Sequence, residues 1–318
     1  MRAAPALAAA PAPAALATPR SLGTMSAAIL DASGDARRRA QLDYLVSCGV
    51  FTPADQAEFV RRQPQFLRLE FGVPYEDASF VLISKPFDVR LDLGTSGERN
   101  FALEITAADF LAARGLGTLR FCHQLDAATS GLLLAAKSRK AASAACGLFE
   151  RRQARKQYLA LVFGHVRTGA HAWIDAPIGA VRGDAFLQQP LPTADGGKPA
   201  QTALRVLRHG RLALHGPHEG RDASLLLLEP RTGRRHQLRV HCQLIGHPIV
   251  GDLSYAGDGE SYRLFLHAHR LRLEPMPVDG GMLDATAACA DFDDALADAV
   301  DVEPLAAEGG WLPGAPGV

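Results

Sequence analysis

Residues 122–136 read CHQLDAATSGLLLAA and join a polar loop to a run of apolar side chains. Asp126 stands in the polar part, and the Thr-Ser-Gly triplet of residues 129–131 follows soon after it. Because Asp, Thr and Ser side chains hydrogen-bond to nearby backbone, the stretch predicts a loop that enters a buried strand at the mouth of a sheet. An Asx turn without a chemical role is the alternative interpretation.

A second stretch, residues 156–164, reads KQYLALVFG and is typical of a strand. Successive side chains of a strand point to opposite faces, so Lys156 and Tyr158 share one face with Ala160 and Val162. On this pattern alone, Tyr158 is interpreted as a core or edge aromatic.

A third stretch, residues 231–252, reads RTGRRHQLRVHCQLIGHPIVGD. Its apolar periodicity predicts a helix over residues 234–245. With Thr232 as the cap, free backbone N–H groups and several cations would meet at the helix N-terminus and form an anion site. The spacing predicts that Arg235 and Arg239 share one helix face.

The histidines and cysteines do not have metal-ligand spacing. His236, His241 and His247 are five and six residues apart, whereas helical zinc ligands are four apart, so we expect no metal site. A metal-dependent hydrolase that uses these histidines is kept as an alternative. The five cysteines include no C-x-x-C pair, which favours reduced thiols in an intracellular compartment.

The remaining pattern favours many strands and few helices. Strands are predicted at residues 80–83, 157–163, 203–207, 225–229 and 264–273, and a further helix at residues 139–153. Many strands with a few helices predict an α+β or mixed α/β fold.

The chain divides by composition into four segments. Residues 1–34 are rich in Ala and Pro and are predicted to be a disordered or targeting segment. Residues 35–79 are predicted to be a helical N-terminal extension, and residues 80–275 a folded domain that contains the predicted strands. The acidic residues 276–318 predict a solvated tail, with one short amphipathic helix around residues 291–300.

Charge is segregated along this chain of 318 residues with a formal net charge of zero. Residues 111–275 contain 23 Lys and Arg against 12 Asp and Glu, a net charge of +11, whereas residues 276–318 contain 0 against 9. A basic block of this kind is typical of a protein that binds a polyanion such as nucleic acid. No apolar run approaches the roughly 18 residues of a membrane span, which excludes an integral membrane protein.

Taken together, the three stretches resemble the RluA-type pseudouridine synthases. That family carries a His-Arg-Leu-Asp loop followed by two residues and Thr-Ser-Gly, then a Lys-x-Tyr-x-Ala-x-Val-x-Gly strand. A Thr-Gly-Arg-x-His-Gln-Ile/Leu-Arg-x-His helix follows and leads to Gly-x-Pro-Ile-x-Gly-Asp. The matching stretches here are residues 123–131, 156–164 and 232–252, in the same order and with the same spacing.

The resemblance implies an α+β fold, with a mixed, largely antiparallel central sheet, flanking helices and a catalytic cleft, and it makes residues 80–275 the catalytic domain. It implies an isomerase that flips specific uridines out of structured ribosomal, transfer or messenger RNA and converts them to pseudouridine. It implies that Asp126 is the essential carboxylate, acting as nucleophile or as base at the ribose. Arg239 would form an ion pair with that carboxylate and Tyr158 would stack on the uracil. The reaction requires no cofactor.

The resemblance also implies an RNA-binding set, which departs from the family at one position. Gln124 stands where most members have arginine, which brings RNA affinity or target choice into question rather than the chemistry. Arg151, Arg152 and Arg155 are further candidates for phosphate contacts. The residues expected to bind RNA are His123, Gln124, Thr129, Lys156, Arg234, Arg235 and His236.

Two further expectations concern the state of the protein. We expect a monomer in the cytoplasm, with a mitochondrion or plastid as the alternative location if the N-terminal segment is a transit peptide. A catalytically inactive RNA-binding protein of the same fold is the alternative function.

Overall fold

The computed structural model describes residues 71–92, 94, 97, 106–116, 119–167, 172–214, 216–276, 280–302 and 311–312, and positions 43, 46, 52–54, 56 and 57. The strands are, in chain order, β1 (Gly72–Glu76), β2 (Phe80–Lys85), β3 (Arg120–Phe121), β4 (Ser130–Ala136), β5 (Arg155–Phe163), β6 (Ala172–Asp175), β7 (Ile178–Val181), β8 (Asp184–Pro190), β9 (Gln201–Leu212), β10 (Asp222–Pro230), β11 (Leu266–Leu273), β12 (Leu283–Thr286) and β13 (Leu296–Asp301). The helices are α1 (Ala107–Ala113), α2 (Arg139–Glu150), α3 (Gln237–Leu244), α4 (Leu253–Ala256) and α5 (Asp291–Asp294).

One long sheet organises the described part of the chain. Its strand order is β1-β2-β4-β11-β5-β10-β9-β13, with β3 added to β4, β6 to β9 and β12 to β11. The pair β4–β11 is parallel, and the other pairs among the described strands are antiparallel. Strands β7 and β8 form a separate hairpin. The expected α+β fold with a largely antiparallel central sheet is confirmed.

Alternation along the central strands buries both faces of the sheet. In β2, Val81 and Ile83 belong to the cluster that includes residues of α1 and α3, whereas Phe80 and Leu82 belong to the cluster packed against α2. Successive side chains of a strand point to opposite faces, so an unbroken apolar strand needs cover on both sides. The helices provide that cover.

Strand register aligns two of the motif stretches. Gly131 of β4 pairs with Ala268 of β11, which in turn pairs with Tyr158 of β5. The start of β4, just after the loop that carries Asp126, therefore lies two strands from Tyr158, or about 10 Å at the usual strand spacing.

The predicted elements agree with the structure most closely where apolar residues dominate. All five predicted strands are present, and helix α2 begins at Arg139 as predicted but ends at Glu150. The predicted helix over residues 234–245 begins later, at Gln237, because His236 has a left-handed backbone with φ 53°. Gly246, with φ 79°, follows the end of that helix.

The interpretation of the acidic C-terminal stretch as a solvated tail is wrong for residues 283–301. Strands β12 and β13 extend the sheet through β11 and β9, and the predicted helix at residues 291–300 is reduced to α5 followed by β13. The acidic side chains neutralise arginines of the basic block, and apolar residues between them are buried. The ion pairs are Asp284–Arg270 at 2.7 Å, Asp291–Arg263 at 2.5 Å and Asp293–Arg208 at 2.5 Å.

The predicted N-terminal segments lie almost entirely outside the described residues. Residues 1–34 are all outside them, as is most of the predicted helical extension over residues 35–79. Where that extension is described near its end, residues 72–76 form strand β1, which pairs with β2. Pro74 is compatible with this position because β1 is at the edge of the sheet.

We predict that Gly131→Ala strongly destabilises the fold. Gly131 has φ 106°, and a Cβ there would lie 2.3 Å from the carbonyl oxygen of Ala268, so both backbone strain and a clash in the β4–β11 pair arise. The free energy of unfolding from urea titration should fall by about 3 kcal/mol or more. The control is Gly259→Ala, whose Cβ would meet only Leu253 Cδ1 at 3.5 Å. Equal stability of the two variants would contradict the prediction.

Candidate active site

Asp126 lies in the loop between β3 and β4, and buried contacts hold that loop. The carbonyl of Asp126 accepts a hydrogen bond from the backbone N–H of Thr129 at 3.1 Å. The ammonium group of Lys85, which is almost completely buried, donates to the carbonyl oxygens of Pro86, Val89 and Ala127 at 2.8 Å each. The Asp126 side chain itself is 32 % exposed, so it is fixed at its base and open to a ligand.

Arg239 connects Asp126 to a second, fully buried carboxylate. From α3, its Nε and Nη2 donate to the two oxygens of Asp252 at 2.7 Å each, and its Nη1 lies 3.7 Å from Asp126 Oδ2. Burial opposes the charge of Arg239, but the hydrogen bonds and charge of Asp252 outweigh burial and raise the pKa of Arg239. The guanidinium is therefore a fixed cation beside the Asp126 carboxylate.

His236 approaches the other oxygen of Asp126. Its Nε2 lies 3.9 Å from Asp126 Oδ1, and its Nδ1 lies 2.8 Å from the hydroxyl of Tyr255. That hydroxyl accepts a hydrogen bond from the backbone N–H of Gln188, and when it donates its own proton to His236 Nδ1 the imidazole proton lies on Nε2, the nitrogen that faces Asp126. Burial lowers the pKa of His236 against the opposing effect of Asp126, which keeps the ring neutral.

Tyr158 is buried in β5, within range of the Asp126 charge. Burial, followed by the Asp126 carboxylate, raises the pKa of Tyr158, so its hydroxyl keeps its proton. The structure thus brings together Asp126, Tyr158, Arg239 and His236, which come from three separate stretches between positions 126 and 239 of the chain.

The turn before α3 differs from the prediction that Thr232 caps the helix. The Thr232 hydroxyl donates to Gln237 Oε1 at 2.7 Å and accepts from the backbone N–H of Gln201 at 3.0 Å, which ties the turn to β9. Because α3 begins only at Gln237, Arg235 precedes the helix and does not share a helix face with Arg239. The predicted anion site at a Thr-capped helix end is therefore wrong.

His123 anchors the Asp126 loop from inside. Its Nε2 accepts a hydrogen bond from the backbone N–H of Leu134 at 3.1 Å, and its ring stacks on Phe149. Burial and the charge of Lys156 lower the pKa of His123 to about 3, so the ring is neutral. A ring used in this way positions the loop rather than presenting a charge to RNA.

The other sequence-predicted binding residues lie at different depths. Gln124 is exposed on the same loop as Asp126, whereas Thr129 is buried at its end. The Lys156 ammonium lies 5.9 Å from the centroid of the Phe149 ring, and among the described residues it forms no ion pair. Burial lowers the pKa of Lys156 from 10.5 to about 8.

The arginines predicted to contact phosphates lie in three places. Arg234 and Arg235 lie on the turn next to His236, where Arg234 Nε donates to the carbonyl oxygen of Pro199 at 3.0 Å and Arg235 is exposed. Arg155 is instead engaged elsewhere, with its guanidinium 4.3 Å from the centroid of Trp311 and 3.7 Å from Glu229. Arg151 and Arg152 are exposed at the end of α2.

The three histidines of the third stretch bind protein groups rather than one another. His241 contacts the Thr202 hydroxyl at 2.9 Å, and His247 Nδ1 donates to the Phe163 carbonyl oxygen at 2.7 Å. Within the described ranges, no group of three His, Cys, Asp or Glu side chains is placed to hold a metal ion.

Sequence analysis missed the functional importance of Asp252, Tyr255 and Lys85. Asp252 begins α4 by accepting the backbone N–H groups of Ser254 and Tyr255, at 3.1 and 3.0 Å, while it holds Arg239. The Gly-Asp pair at residues 251–252 was a visible signal, because an Asp that starts a helix is a recognised cap. No local pattern indicates that the same carboxylate binds an arginine thirteen residues earlier.

The arrangement is suited to chemistry at an electron-poor carbon of a ligand. Asp126 offers a partly exposed carboxylate that lies between one guanidinium and one neutral imidazole. Tyr158 lies beside it in β5 as a neutral aromatic with a polar end.

No helix in the described part of the chain combines the length and apolar character needed to cross a bilayer.

Comparison with known proteins agrees with the geometry. The family model described as RNA pseudouridylate synthase matches residues 79–244. The chain is 37% identical over 220 residues to RNA pseudouridylate synthase domain-containing protein 1 of Danio rerio, which covers 65% of this chain and 73% of that protein. It is 40% identical over 156 residues to the dual-specificity RNA pseudouridine synthase RluA of Vibrio vulnificus, covering 48% of this chain and 59% of the other.

A solved structure is similar as well. The human protein described as RNA pseudouridylate synthase domain containing 1 superposes with a TM-score of 0.58 and 35% sequence identity. The match covers 70% of this chain and 84% of that chain.

We predict that the burial of Lys156 makes stability depend on pH. Its pKa is lower in the folded protein, about 8, than its ordinary value of 10.5, so the unfolded chain binds the proton more tightly. The free energy of unfolding therefore rises between about pH 8 and pH 10.5. Below about pH 8 the buried Lys156 ammonium destabilises the folded protein by its full amount. Lys156→Met removes this contribution and should be more stable than the wild type at pH 7, with the difference shrinking as pH rises to 10.5. Urea titrations of both proteins at each pH give the difference, and a flat difference would contradict the prediction.

Proposed function

The chain belongs to the RluA-type family of RNA pseudouridylate synthases, which are isomerases acting on RNA, and from this membership we propose that it converts specific uridines in structured RNA through Asp126. The observation that carries the proposal is the placement of the Asp126 carboxylate between Arg239 Nη1 at 3.7 Å and His236 Nε2 at 3.9 Å. A carboxylate held in this way stays oriented while its own oxygens are free to react.

The proposed reaction rearranges bonds within one nucleotide. The N1–C1′ bond breaks, the uracil turns while it remains bound, and the C5–C1′ bond forms. C5 loses its proton and N1 gains one, so no electron acceptor or group donor takes part. Asp126 acts at the ribose, as nucleophile on C1′ or as base on the sugar.

Arg239 keeps the reacting carboxylate ionised and in place. Transfer of the substrate into the site removes water from Asp126, and a nearby guanidinium favours the charged form of a carboxylate against that desolvation. Because the buried Asp252 holds two nitrogens of Arg239, the third is presented in a fixed direction. We assign Arg239 this electrostatic role.

Tyr158 forms a wall of the base pocket. Tyr158 pairs with Ala268 of β11, which pairs with Gly131 just after the Asp126 loop, and this register supports a role in which the ring stacks on the uracil and retains the base after it is detached. Stacking of a base on an aromatic ring contributes about 1 to 3 kcal/mol.

RNA binding outside the pocket is assigned to the basic turn and to Lys156. A uridine in a stem must flip out, at a cost of a few kcal/mol, which phosphate contacts offset. Arg234 and Arg235 lie next to His236 and are proposed to bind phosphates, with Lys156 as a further cation. Gln124 is proposed to hydrogen-bond RNA from the exposed side of the loop, and His123 and Thr129 to hold the loop in shape.

The remaining assignments follow the sequence. We propose that residues 80–275 carry the catalytic machinery, that the protein acts as a monomer and that it works in the cytoplasm, with a mitochondrion or plastid as the alternative. An inactive RNA-binding protein of the same fold remains the competing function.

We predict that Asp126→Asn abolishes pseudouridine formation. The substitution keeps the side-chain shape but removes the negative charge that a nucleophile and a base both need, so the rate should fall by at least about a thousandfold while RNA affinity is retained. Unmodified transcripts of ribosomal and transfer RNA are incubated with each protein, and pseudouridine is mapped in them.

In the same assay, Arg239→Met should lose activity on the order of a hundredfold.

The outcome separates the two functions. Activity of the wild type together with an inactive, folded Asp126→Asn supports the proposal. A wild type that binds the transcripts but forms no pseudouridine would favour the inactive RNA-binding protein, and undiminished turnover by Asp126→Asn would overturn the assigned role.

A further inference from the structure

We infer that Phe186 and Arg235 form a platform that binds a nucleotide next to the target uridine, with the base stacked on Phe186 and its phosphate on Arg235. This inference rests on the proposed function, because it adds a second binding position to the same RNA site. We call these two residues the rim platform.

Phe186 is exposed but held in place by its surroundings. Its side chain is 57% exposed near the start of β8, in the hairpin that stands apart from the main sheet. The Asp184 carboxylate accepts the backbone N–H groups of Phe186 and Leu187, at 2.8 and 3.1 Å. A single exposed apolar residue needs no explanation, but one whose backbone is fixed and whose ring contacts a neighbour of the proposed reacting carboxylate points to a ligand.

The hairpin is attached to the active site. The backbone N–H of Gln188 donates to the Tyr255 hydroxyl at 2.9 Å, and that hydroxyl also contacts His236. The Phe186 ring meets the His236 ring edge to face, with centroids 5.2 Å apart. His236 Nε2 is 3.9 Å from Asp126, so a single side chain separates Phe186 from the proposed reacting group.

Arg235 supplies the charge of the rim platform. Its guanidinium carbon lies 4.1 Å from the centroid of the Phe186 ring, a cation–π contact. Arg235 is exposed, and among the residues that the structure describes it forms no ion pair with a carboxylate. Its N–H donors are therefore available to a phosphate while the guanidinium stays in contact with the ring.

The combined chemistry matches RNA better than a small anion or an apolar ligand. Extruding one uridine leaves its neighbours without a stacking partner, and unstacked bases bind to aromatic rings and guanidinium planes. The phosphate between the two nucleotides would lie near the cation. Phe186 therefore compensates part of the stacking lost on flipping, and Arg235 fixes the backbone at that point.

The test compares affinity and turnover for substitutions at position 186. On the unmodified ribosomal and transfer RNA transcripts, Phe186→Leu and Phe186→Ala should weaken binding about tenfold, raising KM while kcat at saturating RNA stays near the wild-type value. Phe186→Tyr should restore wild-type affinity, because it keeps the ring. The matched control is Met282→Ala, which removes a side chain with 56% exposure away from the site and should change nothing.

Salt dependence distinguishes the two halves of the rim platform. Arg235→Gln should reduce the slope of log K against log salt concentration by about one, whereas Phe186→Leu should leave that slope unchanged. Wild-type affinity in Phe186→Leu, or an unchanged slope in Arg235→Gln, would overturn the inference. If the wild type forms no pseudouridine, the proposed function fails, but these affinity measurements still decide whether the rim platform binds RNA.

Discussion

The ion triad of Asp126, Arg239 and Asp252 is the interaction on which the site depends. Asp252 is buried and uses both oxygens to fix Arg239, and Arg239 then offers one nitrogen to Asp126. A buried guanidinium without Asp252 would be an unpaired charge in a poorly solvated place, which is strongly unfavourable. The same Asp252 begins α4, which contains Tyr255, and the Tyr255 hydroxyl contacts His236. Asp252 therefore positions both neighbours of Asp126, Arg239 directly and His236 through Tyr255.

The sheet makes this triad possible by bringing distant segments into register. The parallel pair β4–β11 places the loop that carries Asp126 beside the strand that neighbours Tyr158. Helix α3 packs through Leu238 and Cys242 on the apolar cluster that also contains Tyr158. In this position Arg239 of α3 lies next to Asp126. Three carboxylates of the acidic C-terminal stretch form ion pairs with Arg208 of β9, Arg270 of β11 and Arg263. This stretch is therefore part of the folded structure.

Local patterns in the sequence were sufficient for the strands, for α2 and for the three polar stretches. The family resemblance, rather than any spacing, connected Asp126 with Tyr158 and Arg239. What the sequence did not indicate depends on contacts between distant residues: the left-handed His236 that delays α3, the pairing of Asp252 with Arg239, and the burial of Lys85 under the loop. The acidic stretch was misinterpreted because its charge is balanced by arginines that are distant in the chain.

The central claim is that Asp252 orients Arg239 and thereby Asp126. Single-turnover pseudouridine formation by Asp252→Asn tests it most directly, with RNA affinity and the melting temperature measured on the same sample. The account predicts a rate reduced on the order of a hundredfold in a folded protein that still binds RNA. A folded Asp252→Asn that works at the wild-type rate would contradict the account.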